Sequence, residues 1–347
     1  MKVSTKLICT IFCMVLGAGT LFAGGGRQQA ADGEWRPTRP INIIVPWGAG
    51  GSTDQITRVT AAQLERGLGQ RIVIINQPGA SGATGTAAAR AAARDGYTWT
   101  AGAAGDLALY QLMGLLPQNN IREDWELFLS VGMLGIVSVN VDSPWQTFDQ
   151  LLADFRARPG EITVATAGVV SSGTINIEAI RSHTGIEYRL VTYDGGTPAV
   201  TAVVSGEAMV TTQLGSEQVS MIRGGALRPL AALSSEDLYI SGFGIVPSIR
   251  NWVPQFNLGL NIFGIFIPKG VPQHVINTVS RVWDEYVVGN EEIIRFAADS
   301  ASIFYPARGT RAQDVAFQYY QQVAYIFYDA GRTHNNINPA TLGIPRP

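Results

Sequence analysis

The sequence predicts an α/β fold, because short apolar strands alternate with glycine-containing loops and helices. The runs Ile41–Pro46 and Arg71–Asn76 are rich in β-branched residues and are typical of strands buried on both faces. A glycine-containing loop and a helix-forming segment follow each run, an order that predicts βαβ units with a parallel sheet. The length of 347 residues indicates two domains, since one core rarely grows this large.

The remaining elements repeat this order along the chain. Further strands are predicted at Tyr97–Ala101, Ile162–Thr166, Tyr188–Tyr193, Ala208–Thr212, Leu227–Leu233 and Gly259–Ile267. Helices are predicted from Ser52 to about Gly67, over Ala83–Ala93, after Asp106, over Gln146–Arg158, from Thr174 to about Ser182, from Thr197 onward, and over Pro272–Val288 and Thr310–Ala330. Because no linker separates the two α/β halves, we expect the chain to cross between them more than once.

Composition excludes several classes of protein. With 46% apolar and 15% charged residues, the chain is too apolar for a disordered protein, and its glycines show no collagen-like period. The net charge of −2 leaves no basic surface for nucleic acid. The histidines His183, His274 and His334 lie far apart, without metal-ligand spacing. We therefore expect no cofactor, no metal and no nucleic-acid partner.

The N-terminus has the layout of a secretory signal peptide over residues 1–23. Lys2 and Lys6 precede the apolar run Leu7–Phe22, and Ala23 is followed by three glycines. The run of 16 residues is short for a spanning helix, which needs about 20. Cleavage near Ala23 predicts a periplasmic protein, and an uncleaved anchor is the alternative.

Both cysteines, Cys9 and Cys13, lie inside this N-terminal segment. Cys13 lacks the small preceding residue of a lipoprotein cysteine, so we expect no lipidation. A mature chain without cysteine has no thiol catalysis, thiolate metal site or disulfide. Residues 24–38 are predicted to form a flexible tether before the first domain.

Four glycine loops carry the predicted chemistry: Trp47–Asp54, Gly79–Gly82, Ala167–Thr174 and Tyr193–Thr197. Each follows a strand and opens a helix, whose N-terminus presents unpaired amides and a partial positive charge to an anion. Glycine lets the backbone approach a ligand closely, and such loops gather at the carboxyl ends of the strands. The loops therefore predict an anion site, and ordinary tight turns with helix caps are the alternative.

Catalytic motifs are absent from the sequence. Ser52 and Ser81 lie outside any G-x-S-x-G elbow, and no phosphate-binding G-x-x-x-x-G-K-[ST] or H-E-x-x-H motif occurs. Asp54 lies in the first turn of a predicted helix, a position that favours a role in helix capping over one in general-base catalysis. We expect a protein that is not an enzyme, with a secreted α/β enzyme acting on small carboxylates as the alternative.

A series of motifs resembles the Bug-type extracytoplasmic solute receptors, the binding proteins of tripartite tricarboxylate transporters. The matching segments are Pro46–Asp54 (PWGAGGSTD), Leu68–Gln70 (LGQ), Asn76–Gly82 (NQPGASG), Asp95–Thr98 (DGYT), Tyr193–Ala199 (YDGGTPA) and Pro268–Pro272 (PKGVP). Their order and spacing hold from Arg39 to about Gly331. The coverage makes this resemblance more specific than any single motif.

The resemblance implies a two-lobed, type II periplasmic-binding-protein fold with the ligand in the interdomain cleft. Lobe 1 would comprise residues 39–139 and 262–347, and lobe 2 residues 140–261. The implied function is hinge closure on a small carboxylate and delivery to membrane permease subunits, by a monomer without cofactor. A ligand-sensing partner of a signalling membrane protein is a further alternative.

The resemblance also implies the ligand-binding residues, which come from all four glycine loops. They are Trp47, Ala49, Gly50, Gly51, Thr53, Asp54, Ala80, Ser81, Gly82, Gly168, Ser171, Ser172, Thr174, Tyr193, Gly195 and Gly196. Valine at Gly51 or Gly82 is expected to abolish binding and leave the fold intact. Four residues depart from the family pattern: Trp47, Asp194, Gln213 and Ile262. They favour a mono- or dicarboxylate over a tricarboxylate and leave a weakly charged aromatic ligand open.

Overall fold

The computed structural model describes residues 33–347 and shows a mixed α/β fold built on two main sheets. The six-stranded sheet has the order β13-β4-β12-β3-β1-β2, and the five-stranded sheet has the order β7-β6-β8-β5-β9. The elements packed on the first sheet are called the first lobe below, and those on the second sheet the second lobe. The predicted signal peptide lies outside the described residues.

The strands alternate with helices through most of the chain, as predicted. They are β1 (Ile41–Val45), β2 (Ile72–Asn76), β3 (Thr98–Ala103), β4 (Trp125–Met133), β5 (Ile136–Asn140), β6 (Thr163–Thr166), β7 (Arg189–Thr192), β8 (Val210–Thr211), β9 (Leu227–Ala232), β10 (Leu238–Ile240), β11 (Gly244–Val246), β12 (Asn261–Pro268) and β13 (Ser302–Arg308). Strands β10 and β11 form a separate antiparallel hairpin.

The α-helices cover the faces of both sheets. They are α1 (Ser52–Leu68), α2 (Ala83–Ala91), α3 (Ala104–Leu112), α4 (Phe148–Ala157), α5 (Ser172–Thr184), α6 (Gly196–Val204), α7 (Gly215–Arg223), α8 (Gln273–Tyr286), α9 (Glu291–Asp299) and α10 (Gly309–Asp329). None of the helices in residues 33–347 is long and apolar enough to cross a membrane. Helix α10 packs against both α3 and α5, so it touches both lobes.

Strand β1 shows why the apolar runs form buried strands. It pairs in parallel with β2 and β3, so helices cover the sheet on both sides of it. Its side chains alternate between two cores: Ile43 and Val45 enter one, and Ile44 enters the other. β-Branched residues fit this two-sided burial, which confirms the predicted strand.

The sheets are mixed, whereas the sequence predicted a parallel arrangement. Strand β12 runs antiparallel to both β3 and β4, and β5 runs antiparallel to β8 and β9. The chain leaves the first sheet after Met133, enters the second at Ile136 and returns to the first at Asn261. Each return strand arrives from the other lobe without a crossover helix, which permits antiparallel pairing. The predicted lobe boundaries at residues 139 and 262 stay predictions.

Trp35 packs in the core of the first lobe, although it lies inside the segment that was predicted to be a flexible tether. Its indole lies in the core of the first lobe and meets the Tyr97 ring edge-on at a centroid distance of 5.4 Å. Its backbone amide donates to Thr278 Oγ1 at 2.9 Å. The tether prediction is therefore wrong from Trp35 onward, because burial of this aromatic ring stabilises the segment.

Helix α1 contacts α8 at Gly67, which provides a test of the packing. A Cβ at this position would lie 2.3 Å from Val282 Cγ1 and 2.7 Å from Tyr286 Cδ2. Alanine normally stabilises a helix interior by about 1 kcal/mol relative to glycine. We expect Gly67→Ala to lower the free energy of unfolding instead, by roughly 1–2 kcal/mol, because the α1–α8 contact is overpacked.

Urea unfolding measures this effect, with Ser220→Ala on the exposed face of α7 as the matched control. The control should change stability by less than about 0.5 kcal/mol. A Gly67→Ala variant as stable as the parent would contradict the close approach of the two helices.

Candidate functional site

Three of the four glycine loops, those beginning at Trp47, Ala167 and Tyr193, meet around one small cavity of about 20 Å³. A cavity of this size holds about one water molecule. Side chains and backbone from both lobes line it: Trp47, Gly51, Ser52, Thr53, Asp106, Ala167, Ser171, Ser172, Gly196, Gln213, Leu214, Glu217 and Phe263. The convergence places the first turns of α1, α5 and α6 around a single space.

The first loop is held in shape by Asp54. Its carboxylate accepts hydrogen bonds from the Gly50 amide at 3.0 Å and from Asn76 Nδ2 at 3.0 Å. Arg58 donates to both carboxylate oxygens, at 2.9 and 2.8 Å. Burial acts to raise the pKa of Asp54, but Arg58, Gly50 and Asn76 together lower it below its usual value. Asp54 therefore organises the loop, and both of its oxygens are engaged there.

The first turn of α1 reaches across the cleft to the second lobe. The Ser52 amide donates to Glu217 Oε1 at 3.0 Å, and the Ser52 and Ser216 hydroxyls are 2.5 Å apart. The next amide, that of Thr53, donates no hydrogen bond within residues 33–347 and lies at the cavity. Helix α1 thus offers one amide to an internal carboxylate and the next to the cavity.

The second loop adopts a left-handed backbone, with φ of 47° at Ala80 and 54° at Ser81. Ser81 Oγ accepts a hydrogen bond from the Val169 amide at 3.1 Å, which links the two lobes. Gly82 packs under Trp47, and a Cβ there would lie 2.3 Å from the Tyr110 hydroxyl. The expectation that Gly82→Val leaves the fold intact is therefore wrong, since valine does not fit this space or a φ of +91°.

The third loop opens helix α5 through hydrogen bonds to its own backbone. Ser171 Oγ accepts from the Thr174 amide at 3.4 Å, and the hydroxyls of Ser171 and Thr174 donate to Gly168 O at 2.9 and 2.6 Å. These bonds cap the helix and place the Ser172 amide, which donates no hydrogen bond in the described part of the chain, at the cavity.

The fourth loop brings Gly196, the first residue of α6, against Glu217. A Cβ at Gly196 would lie 2.0 Å from Glu217 Oε1, so any other residue here would displace the Glu217 carboxylate. The Thr197 hydroxyl donates to Gly50 O across the cleft at 3.1 Å. The Tyr193 hydroxyl points elsewhere and donates to Glu207 Oε1 at 2.9 Å.

The predicted site residues divide into two groups. Those that line the cavity are Trp47, Gly51, Thr53, Ser171, Ser172 and Gly196. Those that do not line it are Ala49, Gly50, Asp54, Ala80, Ser81, Gly82, Gly168, Thr174, Tyr193 and Gly195. The second group shapes the loops, connects the lobes or packs beneath the first group. Their contact with a ligand stays a prediction.

Comparison with known proteins places this chain in a family. The model of the tripartite tricarboxylate transporter family receptor matches residues 56–287, about two thirds of the chain. The chain belongs to this family. Protein BugT of Bordetella pertussis is 32% identical to the receptor over 288 residues, which are 82% of this chain and 87% of BugT. The resemblance drawn from the sequence motifs is thereby confirmed.

Solved structures confirm the fold of the receptor. The periplasmic binding protein BugD superposes with a TM-score of 0.78 at 22% identity, over 86% of this chain and 99% of BugD. R. palustris Rpa4515, solved with adipate, also has a TM-score of 0.78 at 22% identity, over 85% and 98% of the two chains. The two-sheet α/β architecture is therefore that of periplasmic binding proteins, as the sequence predicted.

Several cavity residues of the receptor are not among the predicted ligand-binding residues: Ser52, Asp106, Ala167, Gln213, Leu214, Glu217 and Phe263. Asp106 could have been predicted, because it lies in the first turn of a helix that follows a strand. The four glycine loops have the same order of strand and helix. Glu217 carried none, because α7 was not predicted and the residue reaches the cavity only through the meeting of the lobes.

Asp106 and Glu217 are the acidic side chains that line the cavity of the receptor. Burial raises the pKa of Asp106 to about 8, against hydrogen bonds from Asn261 and Ser172, and the nearby Glu217 raises it further. Burial also raises the pKa of Glu217, while hydrogen bonds from Ser52 and Leu214 oppose the shift. No group of three or more His, Cys, Asp or Glu in residues 33–347 is arranged to hold a metal ion.

Two larger grooves, of about 740 and 670 Å³, lie on the surface of the receptor away from the glycine loops. The first runs beside the β10 strand and residues 298–303, and the second beside the ends of α5 and α10. The loop-lined cavity is small because the two lobes lie in contact there, so its size reflects closure.

Replacement of Asp106 by asparagine tests whether the buried carboxyl of Asp106 is protonated in the folded protein. Its pKa of about 8 in the fold exceeds the ordinary value of 3.8, so unfolding releases a proton between these pH values. The contribution of this carboxyl to stability is therefore complete below about pH 4 and is lost as the pH rises toward 8. We expect the parent to lose stability relative to Asp106→Asn by up to about 1.4 kcal/mol per pH unit.

Urea unfolding of the ligand-free proteins at pH 5, 6 and 7 measures this difference. Tyr110 and Tyr319, which also face Asp106, stay neutral over this range, since burial raises the pKa of each. Parallel stability curves for the two proteins would show that Asp106 is ionised in the folded state.

Proposed function

We propose that the receptor captures a small carboxylate between its lobes and delivers it to membrane permease subunits. The observation that carries the proposal is the convergence of three helix N-termini on one cavity. The amides of Thr53, Ser172 and Gly196 belong to the first turns of α1, α5 and α6 and donate no hydrogen bond within residues 33–347. Such amides stabilise a bound anion.

The strength of these contacts suffices for a transport receptor. A hydrogen bond to a charged group contributes about 1.5–3 kcal/mol, so three amides supply roughly 4.5–9 kcal/mol. A micromolar ligand needs about 8 kcal/mol. Trp47 adds a buried apolar wall to the cavity. The proposed binding mode therefore needs no arginine or lysine.

Ligand entry requires the lobes to separate. The cavity of about 20 Å³ is far smaller than the sites of about 300–1,000 Å³ that enclose drug-sized ligands. Ser52, Thr197 and Ser81 provide hydrogen bonds that connect the lobes. A ligand closes the cleft only through its higher affinity for the closed form, and amides from both lobes supply that difference.

We infer that the receptor lies outside the cytoplasmic membrane and that it is a monomer, which binds its ligand without catalysing a reaction. The family match, the similarity to periplasmic binding proteins and the adipate in Rpa4515 support a carboxylate receptor. The signal peptide predicted over residues 1–23 supports the periplasmic location. Permease subunits of a tripartite transporter are the proposed partners, because the matched family consists of their receptors.

Valine at Gly51 tests the site without disturbing the fold. A Cβ there would lie 3.5 Å from both Glu217 Oε1 and Gly48 O, which is ordinary contact distance. The Gly196 amide nitrogen lies 4.0 Å from that Cβ, so the two methyl groups of valine would add bulk beside the first turn of α6. We expect Gly51→Val to lower carboxylate affinity at least tenfold and to leave the melting temperature within a few degrees of the parent.

Thermal-shift screening of acetate, succinate, adipate and citrate identifies an acid for calorimetric titration of both proteins. Ala93→Val, at an exposed position after α2, is the matched control and should bind like the parent. Equal affinity in Gly51→Val and the parent would refute the site. Stabilisation by none of these acids, together with turnover of a small ester, would favour the secreted enzyme.

A further inference from the structure

The hairpin of β10 and β11 presents an apolar outer face to solvent. Tyr239 and Ile245 lie opposite each other on its two strands and are 68% and 66% exposed, and Phe243 in the turn is 46% exposed. The inward-facing Ile240 and Val246 are buried in the core of the second lobe. Single exposed apolar side chains are ordinary, but three of them on one hairpin indicate a contact surface.

The outer edge of β10 has no strand partner within residues 33–347. Strand β10 pairs with β11 alone, whereas the chain after β11 reaches β9, where the Ala232 amide donates to Pro247 O at 2.8 Å. Backbone amides and carbonyls on a free strand edge can pair with another extended chain. Leu238 and Tyr239 of this strand line the groove of about 740 Å³, so β10 forms part of one groove wall.

The first lobe supplies the other wall of this groove, from residues 298–303 at the end of α9 and the start of β13. Arg223 of α7 connects the two walls, because its guanidinium donates to Ser241 O at 2.6 Å and to Asp299 O at 3.1 Å. Leu258, on the connection between the lobes, adds apolar lining. The groove is thus formed before a partner binds, which lowers the free energy that binding requires.

Acids predominate among the charged residues of the groove. Glu236, Asp237 and Asp299 line it, and Arg250 is the basic residue in the lining. The carboxylates of Glu236 and Asp299 come from different lobes and make no hydrogen bond or ion pair within residues 33–347. Asp299 also ends α9, where the helix dipole favours a cation over an anion. The groove therefore complements an occupant that carries positive charge.

We propose that this groove is the docking site for an extended segment of a partner protein, which pairs with β10 as a third strand. The apolar side chains of the segment lie against Tyr239 and the groove walls, and its lysine or arginine side chains lie near Glu236 and Asp299. An anionic membrane surface or a second copy of this chain would bring like charges together. A small ligand inside the groove would leave Ile245 and Phe243 uncovered.

Three end-capped peptides of about seven residues test this docking mode by fluorescence anisotropy. The first alternates valine with lysine, so an extended chain has one apolar and one basic face. The second has glutamate in place of lysine. The third has the sequence of the first with its backbone amides N-methylated, which blocks strand pairing and keeps every side chain. We expect the lysine peptide to bind at least tenfold more tightly than either counterpart.

The other outcomes contradict the docking site in distinct ways. No binding of the lysine peptide at up to about 1 mM overturns the proposal outright. Equal binding of the glutamate peptide shows that charge has no part, and equal binding of the methylated peptide shows that no strand is added; both results overturn it. A dimer of the parent in light scattering that Tyr239→Ser converts to a monomer assigns the edge to a second copy, which also overturns it.

Variants of the receptor locate the bound peptide. Tyr239→Ser removes an apolar contact, and the double variant Glu236→Gln with Asp299→Asn removes both unpaired charges, so each should weaken binding of the lysine peptide at least tenfold. Ile75→Ser, 41% exposed on the edge strand β2, and Asp142→Asn are the matched controls and should bind like the parent. Unchanged peptide affinity in Tyr239→Ser, with its fold intact by circular dichroism, would place the peptide elsewhere and refute the proposal.

Discussion

The structure depends on the meeting of helix N-termini from two lobes at a single point. Helices α1, α5 and α6 each follow a strand through a short glycine-containing loop, and their first turns face the cavity between the lobes. Their first-turn amides have no acceptor within the helix, so an acceptor must come from elsewhere. The same requirement explains the glycine at Gly196, the serine cap at Ser171 and the hydrogen bonds that join the lobes.

The receptor meets this requirement partly from within. Glu217 occupies the Ser52 amide and contacts Gly196, so an internal carboxylate already takes a place that an anion would favour. The amides of Thr53 and Ser172 stay open to the cavity. The site therefore combines an attraction for a carboxylate with two acids of its own. This combination distinguishes the chemistry of this cleft from that of a simple anion site.

Several of the predicted site residues make hydrogen bonds that shape or connect the loops. Asp54 holds the first loop through Arg58 and Asn76, and Tyr193 turns away to Glu207. Ser81 connects the lobes through the Val169 amide. Such residues place the lining backbone accurately, and accurate placement is what makes main-chain amides selective.

The sequence alone determined many of the strands and helices, the glycine loops and the family. These features depend on local patterns: β-branched runs, residues with access to a positive φ, and motifs in a constant order. Six of the cavity residues, among them Trp47 and Gly51, followed from the same patterns. Strand β4, the antiparallel return of β12 and the place of Glu217 did not, because each depends on pairing with residues remote in the chain. Only the tertiary structure decided which loop ends share one space and which acids face it, since these contacts form when the lobes meet.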